Sequence, residues 1–504
     1  MNVLMLSAEV APFTTVGGLS QVMYFLSKSL LKAGHDVKIF TPHYGKINIK
    51  KYKSHPYIET LLVPTDATRK TDPTSIECAV RIYKKTKPLV YFLENREYYQ
   101  LRENAYGYAD DHQRFYLLSK ACLEWLLLQY KNKEWMPDVI HAHDWHTGYF
   151  IELARTDKRY KKMMRSIPIL YTVHNFRYQG NWDFSFLPPQ EKDHGTNKLQ
   201  SFFDPKLQKQ NALLRGILQA DWINTVSPTH AVEVLTPEYG EGLDKQLLKR
   251  RGVLSGIING LDTVMFDPNK DPLIVQGFGV QSIEKRIANK LELQREFGLA
   301  KDPNVPLLAF CGRLDKQKGL HFILDVLPDV LEELGIQFVI LGGGDLQLAN
   351  EFRMLQERYP KQIGTHLYPN FKLPRKVFAG ADMMLMPSLF EPGGIVALEA
   401  MRYGCIPIIR RTGGLSDVIK EFDPATKKGN GFSFTGNKSL GLLIAITRAV
   451  ETYRNQKLWR SLMVNTMSQD FSWDNSMKEY LKLYRKVIAI RKNQLATNPN
   501  PAFV

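Results

Sequence analysis

The stretch that decides the fold begins the sequence, where residues 2–7 read NVLMLS and residues 18–34 read GLSQVMYFLSKSLLKAG. The first run is short and apolar, which is typical of a buried strand. In the second run, apolar side chains recur at helical spacing along one stripe. A third run, VKIFT at residues 37–41, predicts another strand. A strand, a helix and a strand in this order predict a parallel βαβ unit.

The alternation of strand and helix patterns continues along the chain in two series. Further strands are predicted at residues 137–141, 168–173 and 221–226, and then at 306–311, 336–341, 382–386 and 406–410. Helices of the second series are predicted at residues 318–334, 346–359, 395–404 and 415–422. Such alternation is typical of parallel sheets covered by helices on both faces. We therefore predict an α/β protein with two doubly wound, Rossmann-like sheets.

The domain boundaries follow from these two series. We expect a first domain at residues 1–252, a second at 253–472 and a last segment at 473–504. A long amphipathic helix is predicted at residues 472–491. In open α/β sheets, ligands bind beyond the carboxyl ends of the strands. We therefore expect the site in a cleft where the two domains bring those strand ends together.

Three further segments lack a regular pattern. Residues 44–73 and 181–206 are predicted to be long irregular insertions, which are more often functional loops than core. Residues 498–501 are rich in Asn and Pro, and we expect this part of the chain to be frayed.

The composition excludes a disordered or fibrous protein. Of the 504 residues, 44% are hydrophobic and 23% are charged, which are ordinary values for globular domains. No uninterrupted apolar run reaches about 18 residues, so no membrane-spanning helix is expected. The first residues are interpreted as a buried strand rather than a signal peptide, because they lack a basic leader and a long apolar run.

The positions of the cysteines indicate which cellular compartment suits the protein. The four cysteines are widely scattered, and none forms a Cys-x-x-Cys pair. This spacing predicts neither a disulfide framework nor a zinc ribbon, and the cytoplasm is the simplest compartment.

The charge balance favours anionic ligands. Lys and Arg number 67 against 51 Asp and Glu, which gives a net charge of +16. That surplus suits nucleic acid, phospholipid heads or phosphorylated metabolites, and it does not choose among them. No basic-aromatic repeat or zinc-finger spacing supports nucleic acid. We therefore expect neither a nucleic-acid nor a membrane partner.

Three polar motifs follow predicted strands of the first series. In TVGGL at residues 15–19, the glycines either let backbone amides approach an anion or only form a tight turn. In HAHDWHTG at residues 141–148, a zinc site is the weaker interpretation, because strand alternation would scatter the ligands. Asp144 is better interpreted as a hydrogen-bonding carboxylate. His174 and Asn175 end the next strand, either as a core pair or as substrate ligands.

Four motifs belong to the second series. In GIINGLD at residues 256–262, Asn259 lies either in a turn or at the site. In the stretch at residues 310–320, Arg313 ends a strand and Lys318 begins a helix. A guanidinium and an ammonium at a helix start suit a diphosphate leaving group. The stretch MPSLFEPGG at residues 386–394 is followed by Glu399 about two helical turns beyond Glu391, and RRTGGL occupies residues 410–415. Glu391 and Glu399 either bind a sugar hydroxyl and a ribose, or are a helix-capping carboxylate and a solvated one.

Together, these motifs resemble the glycogen/starch synthase family of retaining glycosyltransferases. The resemblance covers nearly the whole chain in the family's order. It rests on residues 16–19, 141–148, 172–180, 256–262, 312–320, 390–394 and 411–415, with FSWD at 471–474 before the last helix. It implies the GT-B architecture, in which two Rossmann-like domains face each other across a cleft and the last helix crosses back to the first. It also implies glucose transfer from ADP-glucose or UDP-glucose to an α-1,4-glucan, with no metal or other cofactor.

The resemblance assigns roles to individual residues. Arg313 and Lys318 would hold the diphosphate, assisted by the Gly17 and Gly18 amides. His174 would contact the transferred glucose, Glu391 would bind its hydroxyls, and Glu399 would bind the ribose. The remaining residues implied in substrate binding are Thr15, Asp144, Asn175, Asn259, Gly393, Gly394, Thr412 and Gly413.

This chain departs from the family pattern at several positions. Thr15 stands where the family has a phosphate-contacting lysine, and Gln21 stands where many members have aspartate. Many bacterial members have cysteine in place of Gly393 and lack a carboxylate at Glu399. The alternatives are therefore a sucrose- or trehalose-type transferase, or a catalytically weakened homologue that binds glucan or sugar nucleotide.

Overall fold

The structure, a computed structural model, describes residues 1–85, 88–180, 184, 187–188, 190–370 and 372–497. The whole of the predicted frayed segment at residues 498–501 and part of the predicted insertion at 181–206 lie outside these described residues. The chain divides into two compact units. The first contains Met1–Val226, Ala231–Ile257 and the chain from Trp473 onward, and the second contains Ser227–His230 and Ile258–Ser472.

Within the described residues, the first unit contains a sheet of nine strands. These are β1 Asn2–Leu6, β2 Asp36–Pro42, β3 His55–Pro64, β4 Ser75–Tyr83, β5 Leu89–Glu94, β6 Val139–His143, β7 Ile169–Val173, β8 Trp222–Thr225 and β9 Leu254–Gly256. Their order across the sheet is β3-β4-β5-β2-β1-β6-β7-β8-β9. All neighbours are parallel except β4, which is antiparallel to both β3 and β5.

The prediction of an irregular insertion at residues 44–73 is wrong, because β3 and a short helix lie within it. β3 is an edge strand that pairs on one side only, and most of its side chains are exposed. Prolines lie near its start and at its end, as an edge strand tolerates. Without a continuous buried face, the strand lacks the apolar alternation by which strands are recognised in a sequence.

The helices of the first 253 residues fill the connections between these strands. They are α1 Gly18–Lys32, α2 Ile49–Tyr52, α3 Asp111–Lys131, α4 Gly148–Thr156, α5 Lys158–Met164, α6 Ala212–Gln219, α7 Pro228–Glu233 and α8 Asp244–Lys249. The predicted apolar stripe of α1 is confirmed, since Leu19, Val22, Met23 and Leu26 are buried. This stripe packs α1 into the apolar core of the first unit.

Among the described residues, the second unit contains a parallel sheet of six strands. These are β10 Leu307–Cys311, β11 Gln337–Leu341, β12 Ile363–His366, β13 Met383–Met386, β14 Ile406–Arg410 and β15 Phe432–Phe434, in the order β12-β11-β10-β13-β14-β15. The helices are α9 Arg286–Glu296, α10 Leu320–Leu334, α11 Leu346–Arg358, α12 Leu373–Gly380, α13 Ile395–Arg402, α14 Gly413–Val418, α15 Ser439–Arg454 and α16 Gln456–Met467. Two separate apolar clusters include the strand side chains, as a sheet covered on both faces requires.

The last helix, α17 Trp473–Thr497, returns to the first unit. Its Asp474 accepts a hydrogen bond from Ser29 on α1, and Tyr484 lies 2.8 Å from Nδ1 of His141 on β6. Its Arg491 is buried against Asp221. The resemblance implied such a return, and the contacts explain it, because α17 covers apolar surface of the first sheet. In the described chain, no helix has the length and apolarity needed to cross a membrane.

We expect Gly148 to be indispensable to the packing of α4 on α6. A Cβ atom at this position would lie 1.8 Å from the backbone oxygen of Ala212. Gly148→Ala therefore forces the two helices apart, and overpacking of this kind costs about 1–3 kcal/mol. A thermal melt should show a midpoint lower by about 2–4 °C for each kcal/mol.

The matched control is Gly252→Ala, because a Cβ there meets no atom within 4 Å. Its melting midpoint should stay close to that of the wild type. Equal midpoints for the two variants would contradict the packing argument.

Candidate active site

The topology places the polar motifs at one edge of each sheet. β1 lies between β2 and β6, and β10 lies between β11 and β13, so the chain changes direction across the sheet at both places. Such switch points open a crevice beyond the carboxyl ends of the two strands. The motif residues accordingly fall into two groups, one in each unit.

In the second unit, the central contact joins Lys318 to Glu391. Nζ of Lys318 lies 2.5 Å from Oε2 of Glu391, and the Ser388 hydroxyl donates to the same oxygen at 3.1 Å. Both charged side chains are mostly buried, with 18% and 12% of their surface exposed. Arg313 is 59% exposed and lies 3.3 Å from Asp315. The group therefore combines a mostly exposed guanidinium, which lies near Asp315, with an ammonium that a carboxylate already holds.

Close backbone packing holds these loops together. Gly319 adopts φ 67°, and a Cβ there would lie 2.0 Å from the oxygen of Pro387. Gly413 adopts φ 43°, and its Cβ would lie 2.3 Å from the oxygen of Glu391. Only glycine fits such left-handed positions at so close an approach. The loops after β10, β13 and β14 thus form one packed group.

The other predicted residues of this unit lie in the loops after β13 and β14, except Asn259, which follows β9. Gly394 begins α13 with φ 62°, and the oxygen of Gly393 packs against Gly414. Thr412 is buried at the end of β14. Asn259 is also buried, and its Oδ1 accepts no hydrogen bond from the part of the chain that the structure describes.

Glu399 differs in its surroundings from Glu391. It lies on α13, and it forms no ion pair with any described residue. Burial raises its pKa to about 7, and Arg375 opposes that shift. Glu399 therefore holds its negative charge less readily than an exposed glutamate, whereas the ammonium of Lys318 accompanies Glu391.

In the first unit, Asp144 fixes the backbone of the predicted substrate residues. Its Oδ1 accepts the backbone N–H of His174 at 2.7 Å, and the N–H of Asn175 also bonds to this carboxyl group. Asp144 has φ 55°, a conformation that non-glycine residues rarely adopt and that clusters at functional sites. Burial raises the pKa of Asp144 to about 7.

Three histidines of this unit, His141, His143 and His174, are hydrogen-bonded to neighbouring side chains. Nδ1 of His143 lies 3.1 Å from Nε2 of His174, and Nε2 of His141 lies 2.7 Å from the Thr172 hydroxyl. Burial holds the pKa of His141 and His143 well below the usual range and lowers that of His174 to about 4. These rings are neutral at physiological pH and act as hydrogen-bonding groups. Across the described residues, no three His, Cys, Asp or Glu side chains are arranged to hold a metal ion.

The loop at residues 15–18 shows a contact that the sequence analysis missed. Thr15, Gly17 and Gly18 are exposed, but the backbone N–H groups of Val16 and Gly17 both turn toward Glu9. Glu9 lies three residues beyond β1 and is almost fully buried. The sequence signal that could have revealed this contact is a carboxylate placed directly after the apolar first strand.

Aromatic side chains line a hollow of about 320 Å³ beside this group. Tyr106, Tyr108 and Trp145 contribute to its wall, together with Asp111 and Gly180. The hydroxyl of Tyr106 donates to Oε1 of Glu9 at 3.1 Å. Flat rings with a polar tip suit a ligand that is apolar on its faces and polar at its rim.

Comparisons with known proteins first define the class. Residues 2–249 match the family described as starch synthase catalytic domain, and residues 292–460 match glycosyl transferases group 1. A sucrose-phosphate synthase from Thermosynechococcus elongatus shares the fold, with a TM-score of 0.56 and 17% identity over 97% of this chain and 99% of that one. The protein is a glycosyltransferase of GT-B type with two Rossmann-like domains.

Three relatives define the family. A glycogen synthase from Clostridium perfringens is 36% identical over 97% of this chain and 98% of its own. A glycogen synthase from Geobacillus stearothermophilus is 36% identical over 98% of this chain and 99% of its own. The catalytic domain of starch synthase IV from Arabidopsis thaliana, solved with ADP and acarbose, matches with a TM-score of 0.82 and 31% identity over 97% of this chain and 99% of that one. The chain belongs to the glycogen/starch synthase family, and its reaction is glucosyl transfer from a nucleotide sugar in glucan synthesis.

The raised pKa of Asp144 predicts a pH dependence of stability. In the unfolded chain, an aspartate has a pKa of about 3.9. Between about pH 4 and pH 7, the folded state therefore binds more protons than the unfolded state. This group therefore lowers the free energy of unfolding as the pH rises, by up to about 1.4 kcal/mol per pH unit. Asp144→Asn removes that contribution.

Urea unfolding between pH 5 and pH 7 tests this expectation. The stability of Asp144→Asn relative to wild type should increase with pH. The control Asp138→Asn changes an exposed carboxylate and should keep the wild-type slope. Parallel curves for wild type and Asp144→Asn would show that this carboxyl group titrates normally.

Proposed function

We propose that this protein transfers glucose from ADP-glucose to the non-reducing end of an α-1,4-glucan with retention at C1. The observation that supports this most directly is the group of Arg313, Lys318 and Glu391 at the switch point of the second sheet. Two cations there suit a diphosphate, and a carboxylate suits sugar hydroxyls. The related starch synthase IV was solved with ADP, which supports an adenine nucleotide donor.

The proposed mechanism depends on charge stabilisation. As the bond between C1 and the diphosphate oxygen breaks, negative charge grows on the leaving group. Arg313 and Lys318 stabilise that charge in the transition state. Lys318 is already held by Glu391, so little reorganisation is needed when the diphosphate departs. We therefore propose that no metal or other cofactor is required.

The first unit supplies the groups proposed for the sugar and the acceptor. The positive charge that develops at C1 faces the backbone carbonyl of His174, whose position Asp144 fixes through the adjacent N–H. The aromatic hollow around Tyr106 and Trp145 accepts glucose units of the glucan. The related starch synthase IV was solved with acarbose as well as ADP, which supports a second binding site beside that of the donor. We propose a cytoplasmic location, which the four free cysteines support.

A donor panel with the purified full chain tests this function. Labelled ADP-glucose and UDP-glucose are each incubated with glycogen, with and without EDTA. We expect label from ADP-glucose in polymer, release of ADP, and no effect of EDTA. Transfer only to a small sugar acceptor would favour a sucrose- or trehalose-type enzyme, and glycogen binding without release of nucleotide would show a weakened homologue.

We expect Lys318→Ala to lower kcat about 10²-fold or more, the usual effect of losing a transition-state electrostatic partner. The matched control is Lys316→Ala, two residues away and exposed. Initial rates at saturating donor would measure both variants. If Lys318→Ala had the same kcat as the control, the assignment of the phosphate site would be wrong.

Thr15→Lys tests the main departure from the family pattern. Thr15 is exposed, so a lysine fits there without displacing the core. An ammonium at this position should strengthen the attraction of the loop for the donor phosphates and lower the donor KM severalfold. Isothermal titration with ADP would check the same effect without turnover. Unchanged affinity would show that this position does not face the phosphates.

A further inference from the structure

Glu9 lies where two elements of the first unit meet. Its Oε2 accepts the backbone N–H of Val16 at 2.7 Å and that of Gly17 at 3.3 Å. Its Oε1 accepts the Tyr106 hydroxyl at 3.1 Å. One carboxylate therefore connects the glycine loop that precedes α1 to the wall of the aromatic hollow.

The backbone of Glu9 is itself fixed. The Ser7 hydroxyl donates to the Glu9 carbonyl at 2.9 Å, and the Glu9 N–H donates back to the Ser7 oxygen at 3.3 Å. The Tyr44 hydroxyl donates to the neighbouring carbonyl of Ala8 at 2.8 Å. Glu9 is 1% exposed, so its side chain has little freedom to leave these partners.

The loop that Glu9 holds has few other contacts with the core. Residues 15–18 are exposed, and a Cβ at Gly17 would meet no atom within 4 Å. Gly17 is the N-cap of α1, yet no side chain caps this helix. The Ser20 hydroxyl on α1 also donates to the Gly17 carbonyl at 2.9 Å. The two N–H bonds to Glu9 therefore link the loop to the residues that follow β1, and charge-assisted bonds of this kind are about twice as strong as neutral ones.

We propose that Glu9 is a positioning residue that holds the loop at residues 15–18 and the Tyr106 side chain in the arrangement needed for substrate binding. The anchoring of the loop follows from the contacts of Glu9 alone. The effect on donor binding rests on the proposed function, in which this loop assists the donor phosphates.

The charge on Glu9 makes this attachment sensitive to pH. Tyr106, Tyr44 and Asp144 are the titratable groups that face it, and among the described residues no cation pairs with it. Burial raises the pKa of Glu9 to about 7, and the bonds from Val16 and Gly17 oppose that shift. Protonation weakens both N–H bonds, so the loop is held more firmly above neutral pH than below it.

Amide hydrogen exchange of the full chain tests the anchoring directly. Exchange of a fragment covering residues 10–18 is compared at pH 6 and pH 8 after correction for the intrinsic rate. In Glu9→Gln, the Val16 and Gly17 amides should exchange about tenfold faster than in wild type at pH 8, with a smaller difference at pH 6. Equal exchange at both pH values would overturn the proposal.

Two further variants separate the contacts. Tyr106→Phe removes only the Oε1 bond, so the loop amides should keep wild-type exchange. Glu9→Asp keeps the charge but is too short to reach both partners, so exchange should lie between wild type and Glu9→Gln and should still depend on pH. The control is Glu97→Gln, because Glu97 is exposed, and its loop amides should exchange at the wild-type rate. If they exchanged as fast as those of Glu9→Gln, the proposal would be overturned.

Kinetics separate this proposal from the proposed function. The wild-type donor KM should rise as the pH falls below 7, whereas Glu9→Gln should show a KM raised about fivefold at every pH and kcat changed less than twofold. A purely structural loss would lower the active fraction and leave KM unchanged, which would overturn the positioning role. The two proposals can also fail separately. If loop exchange is fast in Glu9→Gln but the wild-type protein uses no nucleotide sugar, the anchoring is supported and the proposed function is rejected.

Discussion

Parallel strand pairing determines the position of every candidate group. Register in the first sheet joins Leu6 of β1 to Ala142 of β6, so Glu9 and Asp144 follow strands that end at the same level. In the second sheet, the pairing of β10 with β13 does the same for Arg313 and the loop that carries Glu391. Because these bonds are between backbone atoms, the strand ends stay in place while the loop sequences vary. The chemistry of each unit is therefore set by short loops on a fixed frame.

The two units stabilise their buried charged side chains in different ways. In the second unit, an ammonium and a carboxylate neutralise each other, and glycines let the loops approach closely. In the first unit, Glu9 and Asp144 have no ion-pair partner among the described residues and are satisfied by backbone N–H groups. Burial without a cation raises the pKa of both carboxyl groups to about 7. The hydrogen bonds that Glu9 and Asp144 accept in the first unit therefore respond to a change of pH near neutrality.

The sequence predicts much of this architecture because its strongest signals are local. The apolar stripe of α1 and the strand–loop–helix order around Arg313 each lie within about 30 residues. Contacts between distant residues were not predictable in this way. Glu9 meets Tyr106 across 97 positions, and His141 meets Tyr484 across 343. The edge strand β3 was missed for another reason, since an exposed strand carries no buried alternation.

The placement of α17 has a consequence for the order in which the polypeptide folds during synthesis. The second unit is nearly continuous in sequence, whereas the first needs Tyr484 and Arg491 to complete its interior. A ribosome delivers these residues only after the whole of the second unit has been translated. The nascent first unit must therefore keep part of its sheet surface uncovered until α17 has been translated, and the second unit is the first able to close its core.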